Sequence, residues 1–183
     1  MRAWLVKSPM LSTYEEAKVT IRWLTKYDTK VLLSHIELEW MNQVCRFASA
    51  TGARVTEILS LTLYKVDTDR AMAWMTNDLA KNGRSIPMRF NNEVLVLLEQ
   101  RKALKTEWCF TRENGIKVKQ VGKRMIGRAV KLAGRKPLKF YDLRHIWANW
   151  HVQSWTPLML LKELGGWEPF RWCKSMAIWM RAI

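Results

Sequence analysis

The stretch that decides the fold is TGARVTEIL, at residues 51–59. Apolar residues recur at helical spacing from about residue 37 to residue 50, and Gly52 ends that predicted helix. A short helix is predicted to follow over RVTEILSL, at residues 54–61. After it the hydrophobic period changes from that of a helix to that of a strand. The stretch therefore separates a helical part of the chain from a sheet.

The flanking segments predict an α+β, mainly helical domain. A helix is predicted over residues 25–36 and an earlier one over residues 13–24. Three short runs with polar breaks suit a small three-stranded antiparallel sheet, at residues 63–67, 71–75 and 84–90. Four more helices are predicted, at residues 91–102, 119–133, 142–153 and 157–164, and Gly165-Gly166 ends the last.

The composition is that of a strongly basic globular protein. The 183 residues include 31 Lys and Arg against 16 Asp and Glu, a formal net charge of +15. Apolar residues make up 49% of the chain, enough to bury a core, which excludes wholesale disorder. Such a charge favours a polyanionic partner and points to nucleic acid, although a ribosomal-type basic protein has the same composition.

Membrane, secreted and metal-binding classes are not favoured. The longest run without a charged residue, 146–161, is too short and too polar to cross a bilayer. Cys45, Cys109 and Cys173 are odd in number and far apart, which argues for reduced thiols and against a disulfide frame or a zinc site. We expect a cytoplasmic protein with no metal and no cofactor.

The basic charge is concentrated in one segment. Residues 101–139 hold thirteen basic residues and two acids, a local balance of +11. In the helix predicted from residue 119, basic residues form one stripe, and Val121, Met125, Ala129 and Leu132 form another that should pack. A solvated face is the alternative, but it usually mixes both signs. The predicted DNA-binding residues are Lys119, Lys123, Arg124, Arg128, Lys131 and Arg135, together with His145.

Three local patterns carry candidate chemistry: TGAR at 51–54, YDLRH at 141–145 and LGGW at 164–167. Each is weak alone. Arg54 could be a surface residue or pair with Glu57, Arg144 could be a hydrogen-bonded half-buried residue, and Trp167 could belong to the core. Their order, with the lysine-bearing stretch AKNGRSIPM between the first two, indicates a functional site more strongly than any one pattern does.

With these motifs in order, the chain resembles the catalytic domain of the tyrosine recombinases, the phage integrase family, from about Arg22 to Pro169. The resemblance implies that Arg54 and Arg144 hold the scissile DNA phosphate and that Lys81 protonates the departing 5′-oxygen. It implies that Trp167 donates its indole N–H to the phosphate, and it implies no metal. Paired guanidiniums suit this task because they donate charge-assisted hydrogen bonds to developing negative charge.

The chain departs from the family pattern at the nucleophile. The resemblance places the attacking tyrosine at residue 176, which is Met176 here. Tyr141 occupies the position of a supporting histidine and is a poorer base, because the reference pKa of a tyrosine is about 10. Tyr141 as a relocated nucleophile is the less favoured alternative. We expect the chain to bind duplex DNA without cleaving it.

The domain prediction follows from the same resemblance: a linker remnant at 1–24, the integrase-like catalytic domain at 25–169 and an aberrant tail at 170–183. Family members usually carry an N-terminal DNA-clamping domain and act as tetramers on paired sites, an assembly not expected of this chain. A bacterial prophage or mobile element is the implied source. The alternatives are a non-catalytic DNA-binding relative and the product of a decayed gene.

The tail favours a frameshift near residues 168–171, with native divergence as the alternative. Grouping the last base of each codon with the first two bases of the next forces a valine codon across Trp172 and Cys173, followed by glutamine or a stop. The shifted codons can read M-V-Q-K-Y-G-H-L, which resembles the family's tail and puts tyrosine at position 176.

The coding DNA tests this hypothesis directly. A tyrosine codon in the shifted frame requires that the codon for Ser175 end in T, because the shifted codon joins that base to the first two bases of the Met176 codon. Sequencing of codons 165–183 is expected to show this base. Any other base at that position removes the tyrosine and rejects the frameshift hypothesis.

Overall fold

The computed structural model describes residues 24–76 and 85–167. Within these ranges the chain forms seven α-helices and three β-strands. The helices are α1 (Lys26–Ser34), α2 (Glu39–Thr51), α3 (Val55–Ser60), α4 (Asn92–Lys102), α5 (Lys123–Leu132), α6 (Asp142–Gln153) and α7 (Leu158–Gly165). The strands are β1 (Val66–Asp67), β2 (Met72–Thr76) and β3 (Ser85–Arg89).

Local capping fixes several of the helix ends. The hydroxyl of Thr25 accepts from the backbone N–H of Asp28 at 3.0 Å, which starts α1, and the Asn91 side chain accepts from Val94 N–H at 3.0 Å, which starts α4. Gly52 ends α2 in the left-handed region, with φ of 67°, and donates to the carbonyl of Ala48. A glycine suits this position because it has no Cβ to clash in that conformation.

The three strands form an antiparallel sheet in the order β1-β2-β3, as the sequence predicts. Ala73 pairs with Met88 across β2 and β3, and both side chains are buried. Trp74, the next residue of β2, is 48% exposed, so one face of the sheet packs and the other does not. The first strand is shorter than predicted, because Leu63–Lys65 forms a 3-10 turn instead.

Helix α2 is the centre of the core and contacts α1, α3, α4 and α6. Its residues Met41, Val44 and Phe47 are fully buried. The Phe47 ring meets the rings of Phe90 and Phe110 edge to face, at centroid distances of 5.8 and 5.2 Å. These contacts join α2 to the end of the sheet and to the segment that follows α4.

The prediction for the basic helix was wrong in two details. Helix α5 begins at Lys123 rather than at residue 119, because Val118 is fully buried beside Phe110 and holds the preceding segment extended. Leu132 was predicted to pack but is 55% exposed. Ala129 is buried as predicted, and Val121 and Met125 pack against the core. Ile126 and Val130 complete the buried face, with the i, i+3, i+4 spacing of one helix face.

Several predictions fall outside the described residues: the helix over 13–24 apart from its last residue, the lysine of the hairpin at position 81, and the tail at 170–183. Leu24 is described and is buried, and its carbonyl accepts from the Trp150 indole N–H at 2.9 Å. No helix in the described part of the chain is long and apolar enough to cross a membrane. In the same ranges no three His, Cys, Asp or Glu side chains are grouped to hold a metal ion.

Candidate functional site

Arg144 joins the ends of two helices that are far apart in sequence. It lies in the first turn of α6, and its residue surface is only 3% exposed. One terminal nitrogen donates to the carbonyl of Gly52 at 2.5 Å, and the other donates to the carbonyl of Gly165. The guanidinium is therefore held between the C-terminal ends of α2 and α7.

Arg54 is held beside it by a carboxylate and a third carbonyl. Glu57 accepts from the backbone N–H of Arg54 at 2.7 Å and from its guanidinium at 2.6 Å. The other terminal nitrogen of Arg54 donates to the carbonyl of Gly166 at 3.0 Å. The Arg54 side chain stays 35% exposed, so it is fixed in orientation but open to solvent.

Gly165 and Gly166, at the C-terminal end of α7, form the turn whose carbonyls accept hydrogen bonds from the two arginines. Gly166 is left-handed, with φ of 58°, and donates to the Glu163 carbonyl, while Trp167 donates to the Lys162 carbonyl. This pairing is the Schellman motif, which reverses the chain and turns carbonyls outward. The carbonyls of Gly165 and Gly166 thereby point at Arg144 and Arg54.

Trp167 packs against the Arg144 guanidinium. The central carbon of the guanidinium lies 4.5 Å from the centroid of the Trp167 ring, and Trp167 is only 7% exposed. An aromatic face attracts a cation, and the attraction is stronger away from water. Trp147 supports the ring from behind, with a centroid distance of 5.9 Å. The structure thus brings the residues of all three sequence patterns together.

The two arginines open into a cleft of about 950 Å³. Its walls come from α3, from the segment that leads into α5, and from the loop before α6. Among the described residues that line it, none is acidic. The cations of its lining, here called the cationic rim, are Arg54, Lys117, Lys119, Lys123, Lys139 and Arg144.

The electrostatics of the cleft favour an incoming anion. Burial and, to a smaller extent, the charge of Arg54 lower the pKa of Arg144 to about 10, with Glu57 and Tyr141 acting in the opposite direction. The guanidinium still carries its charge at neutral pH. Its Nε atom is buried and has no hydrogen-bond acceptor among the described residues. A buried donor of this kind is costly to leave unsatisfied.

Tyr141 and His145 form a second pair at the cleft. Tyr141 is 53% exposed and lines the cleft, and its ring meets the His145 ring edge to face at 4.8 Å. Burial lowers the pKa of His145, Asp142 raises it, and Arg144 lowers it again. With this lowered pKa His145 is neutral at neutral pH. His145 does not belong to the cleft lining.

The predicted DNA-binding residues differ in their position relative to the cleft. Lys119 and Lys123 line the cleft, whereas Arg124 and Lys131 are exposed outside its lining. Arg128 forms an ion pair with Glu37 at 3.0 Å, and Arg135 forms one with Asp28 at 2.5 Å. Their role in DNA binding stays a prediction, as do the roles of Lys81 and Met176, which lie outside the described residues.

The cleft lining also includes cationic and aromatic residues that were not among the predicted site residues: Lys117, Lys139 and Phe140. The alternation of Lys117, buried Val118 and Lys119 is the signal of an extended segment with both lysines on one side. Lys139 and Phe140 directly precede the YDLRH pattern, and that proximity was their only signal.

The fold is that of a tyrosine recombinase catalytic domain. The catalytic domain of bacteriophage HP1 integrase superposes with a TM-score of 0.63 at 20% sequence identity, covering 88% of each chain. A lambda integrase dimer bound to a COC′ core site gives a TM-score of 0.70 at 17% identity, covering 87% of this chain and 49% of that chain.

The particular family follows from the sequence itself. The model of the phage integrase family matches residues 22–173. The integrase of Salmonella phage P22 is 30% identical over 190 residues, which cover 96% of this chain and 49% of the relative. The chain belongs to the phage integrase family, and it spans about half the length of this curated relative.

Substitution of Gly52 is expected to destabilise the fold. A Cβ added there would overlap the Trp147 ring, and φ is positive as well. Gly52→Ala is expected to lower the free energy of unfolding by roughly 2–5 kcal/mol, measured by denaturant unfolding. Gly115→Ala is the matched control, because Gly115 has φ of 76° but no atom within 4 Å of an added Cβ. Equal losses in the two variants would contradict the proposed contact.

Proposed function

We propose that this chain is the DNA-gripping part of a site-specific recombinase, and that it binds duplex DNA with one backbone phosphate held between Arg54 and Arg144. The observation that carries the proposal is the cationic rim, since six cations without an acid line the cleft into which both arginines open. The lambda integrase structure with a core site supports DNA as the ligand of this fold.

The arrangement of the two guanidiniums suits a phosphate. Each terminal nitrogen named above uses one hydrogen toward a carbonyl or carboxylate, and each carries a second. These second hydrogens are the donors that the proposal assigns to phosphate oxygens. The helix ends fix the guanidiniums in advance, so little reorganisation is required when the anion arrives.

The remainder of the rim extends this contact along the DNA backbone. Lys119 lies on the segment that leads into α5, Lys123 is the first residue of α5, and Lys139 lies on the loop before α6. The lysines therefore approach the arginines from two separate segments. Lysine side chains that neutralise phosphates release counterions, which makes binding weaken steeply with salt.

Strand cleavage is not part of the proposed activity. Recombinases of this family attack the phosphate with a tyrosine, and position 176 holds a methionine. A thioether has no proton to lose and forms no stable phosphoester link, so Met176 cannot replace the tyrosine. We place this DNA binding in the cytoplasm of a bacterium, consistent with the phage relatives.

The first test is a salt titration of DNA binding. Lys119→Ala and Lys123→Ala are each expected to reduce the slope of log affinity against log salt concentration by about 1, because each removes one phosphate contact. Arg54→Ala is expected to weaken binding at every salt concentration. Fluorescence anisotropy with a labelled duplex measures these quantities.

The control for charge alone is Lys30→Ala. Lys30 is exposed on α1 and does not line the cleft. The Lys30→Ala variant loses the same charge as the other two lysine variants. Its slope of log affinity against log salt concentration is expected to equal that of the unmodified chain. A slope that falls equally in all three lysine variants would reject the cationic rim as the binding surface.

The second test is for a covalent intermediate. A nicked suicide duplex traps any protein that attacks its phosphate, and no adduct is expected on denaturing gels. An adduct would show that a nucleophile is present, and Tyr141→Phe would then identify it. If the adduct were lost in that variant, Tyr141 would be a relocated nucleophile.

A further inference from the structure

The interior of the cleft is larger and more apolar than a phosphate requires. Besides the cationic rim its walls include Leu59, Val118, Val121, Ile126 and Leu138. A single phosphate group is much smaller than a cleft of about 950 Å³. Apolar walls favour an apolar group, because its transfer out of water lowers the free energy. The interior therefore suits an apolar group attached to the bound anion.

Two aromatic residues of the lining directly follow a cation in the sequence. Lys139, Phe140 and Tyr141 are consecutive, and all three line the cleft. Tyr141 is 53% exposed, with its ring set by the contact with His145. Exposed rings beside a cationic track are typical of surfaces on which single bases stack.

The charge of the cleft argues against the chain's own tail as its occupant. Residues 168–183 contain Arg171, Lys174 and Arg181 against Glu168, a net charge of +2. A basic segment is repelled by a rim of six cations. A nucleotide carries both parts that the cleft accepts, an anionic phosphate and a flat apolar base.

We propose that the cleft receives an unpaired nucleobase of the DNA strand whose phosphate Arg54 and Arg144 hold. The base stacks at Phe140 and Tyr141 and fills the apolar interior. This inference rests on the proposed function, since the phosphate anchors the strand. A base that is already unpaired enters at low cost, whereas a paired base must first leave its stack.

The experiment compares three labelled duplexes of equal length by fluorescence anisotropy at one salt concentration. The first is fully paired, the second carries a single bulged thymine, and the third carries an abasic bulge at the same place. The two bulged duplexes share backbone and charge and differ only in the base. The thymine bulge is expected to bind at least about five-fold more tightly than the abasic bulge.

Variants that fill the cleft test where the base binds. Val121→Trp occupies the interior, and Ser60→Trp does so from an exposed position on α3, which guards against a folding defect in the first variant. Both are expected to abolish the preference for thymine while the affinity for paired duplex stays. Ile116→Trp is the control, because Ile116 is 58% exposed and does not line the cleft.

The aromatic contact has its own pair of variants. Tyr141→Phe is expected to keep the preference for the thymine bulge, and Tyr141→Ser is expected to reduce it. Loss of the preference in both variants would assign the effect to the hydroxyl group and would overturn stacking.

The remaining outcomes separate this inference from the proposed function. Equal affinity for the thymine and abasic bulges, or a preference that survives in both tryptophan variants, overturns the base site while duplex binding stands. Failure to bind any of the three duplexes overturns both. A further outcome would overturn the base site and assign the cleft to residues 168–183. In that outcome the thymine bulge is not preferred, and the melting temperature falls in Val121→Trp and Ser60→Trp but not in Ile116→Trp.

Discussion

The burial of the Arg144 guanidinium is the constraint on which the rest of the structure depends. Removing a cation from water costs several kcal/mol unless its donors are satisfied. No carboxylate accepts from Arg144 within the described residues; the carbonyls of Gly52 and Gly165 and the face of Trp167 compensate instead. Helix C-termini suit this role, because their last carbonyls lack partners and carry partial negative charge. The left-handed turn at Gly52 and the Schellman turn after α7 exist at these positions because they present those carbonyls.

Net charge overstates the cationic surface that is open to a ligand. Of the basic segment at 101–139, Arg101 is buried and donates to the carbonyl of Cys109 at 2.7 Å, so it fixes the chain rather than meeting a ligand. Arg128 and Arg135 hold α5 against acids at Glu37 and Asp28. The cationic rim is the part of the surface where cations surround a cleft and the described lining has no acid. The number of cations left for a ligand depends on the ion pairs formed on folding, and these pairs join residues about a hundred positions apart.

Much of the fold could be predicted because its signals are local. The bounds of α6 match the prediction for residues 142–153, and the turns at Gly52 and Gly166 follow from glycine alone. The late start of α5 could not be predicted, because the burial of Val118 beside Phe110 depends on tertiary contacts. The arginine pair was found through ordered motifs, but the cleft was not, since its walls come from three segments that have no common pattern.

The proposed phosphate binding and the proposed loss of cleavage rest on different residues. Every hydrogen-bond acceptor recorded for the Arg54 and Arg144 side chains lies between Gly52 and Gly166, and Trp167 completes the contact. None of these interactions requires a residue of the segment 168–183. Because the anchoring carbonyls belong to helix ends packed in the core, the orientation of both guanidiniums is set by the fold of the described residues.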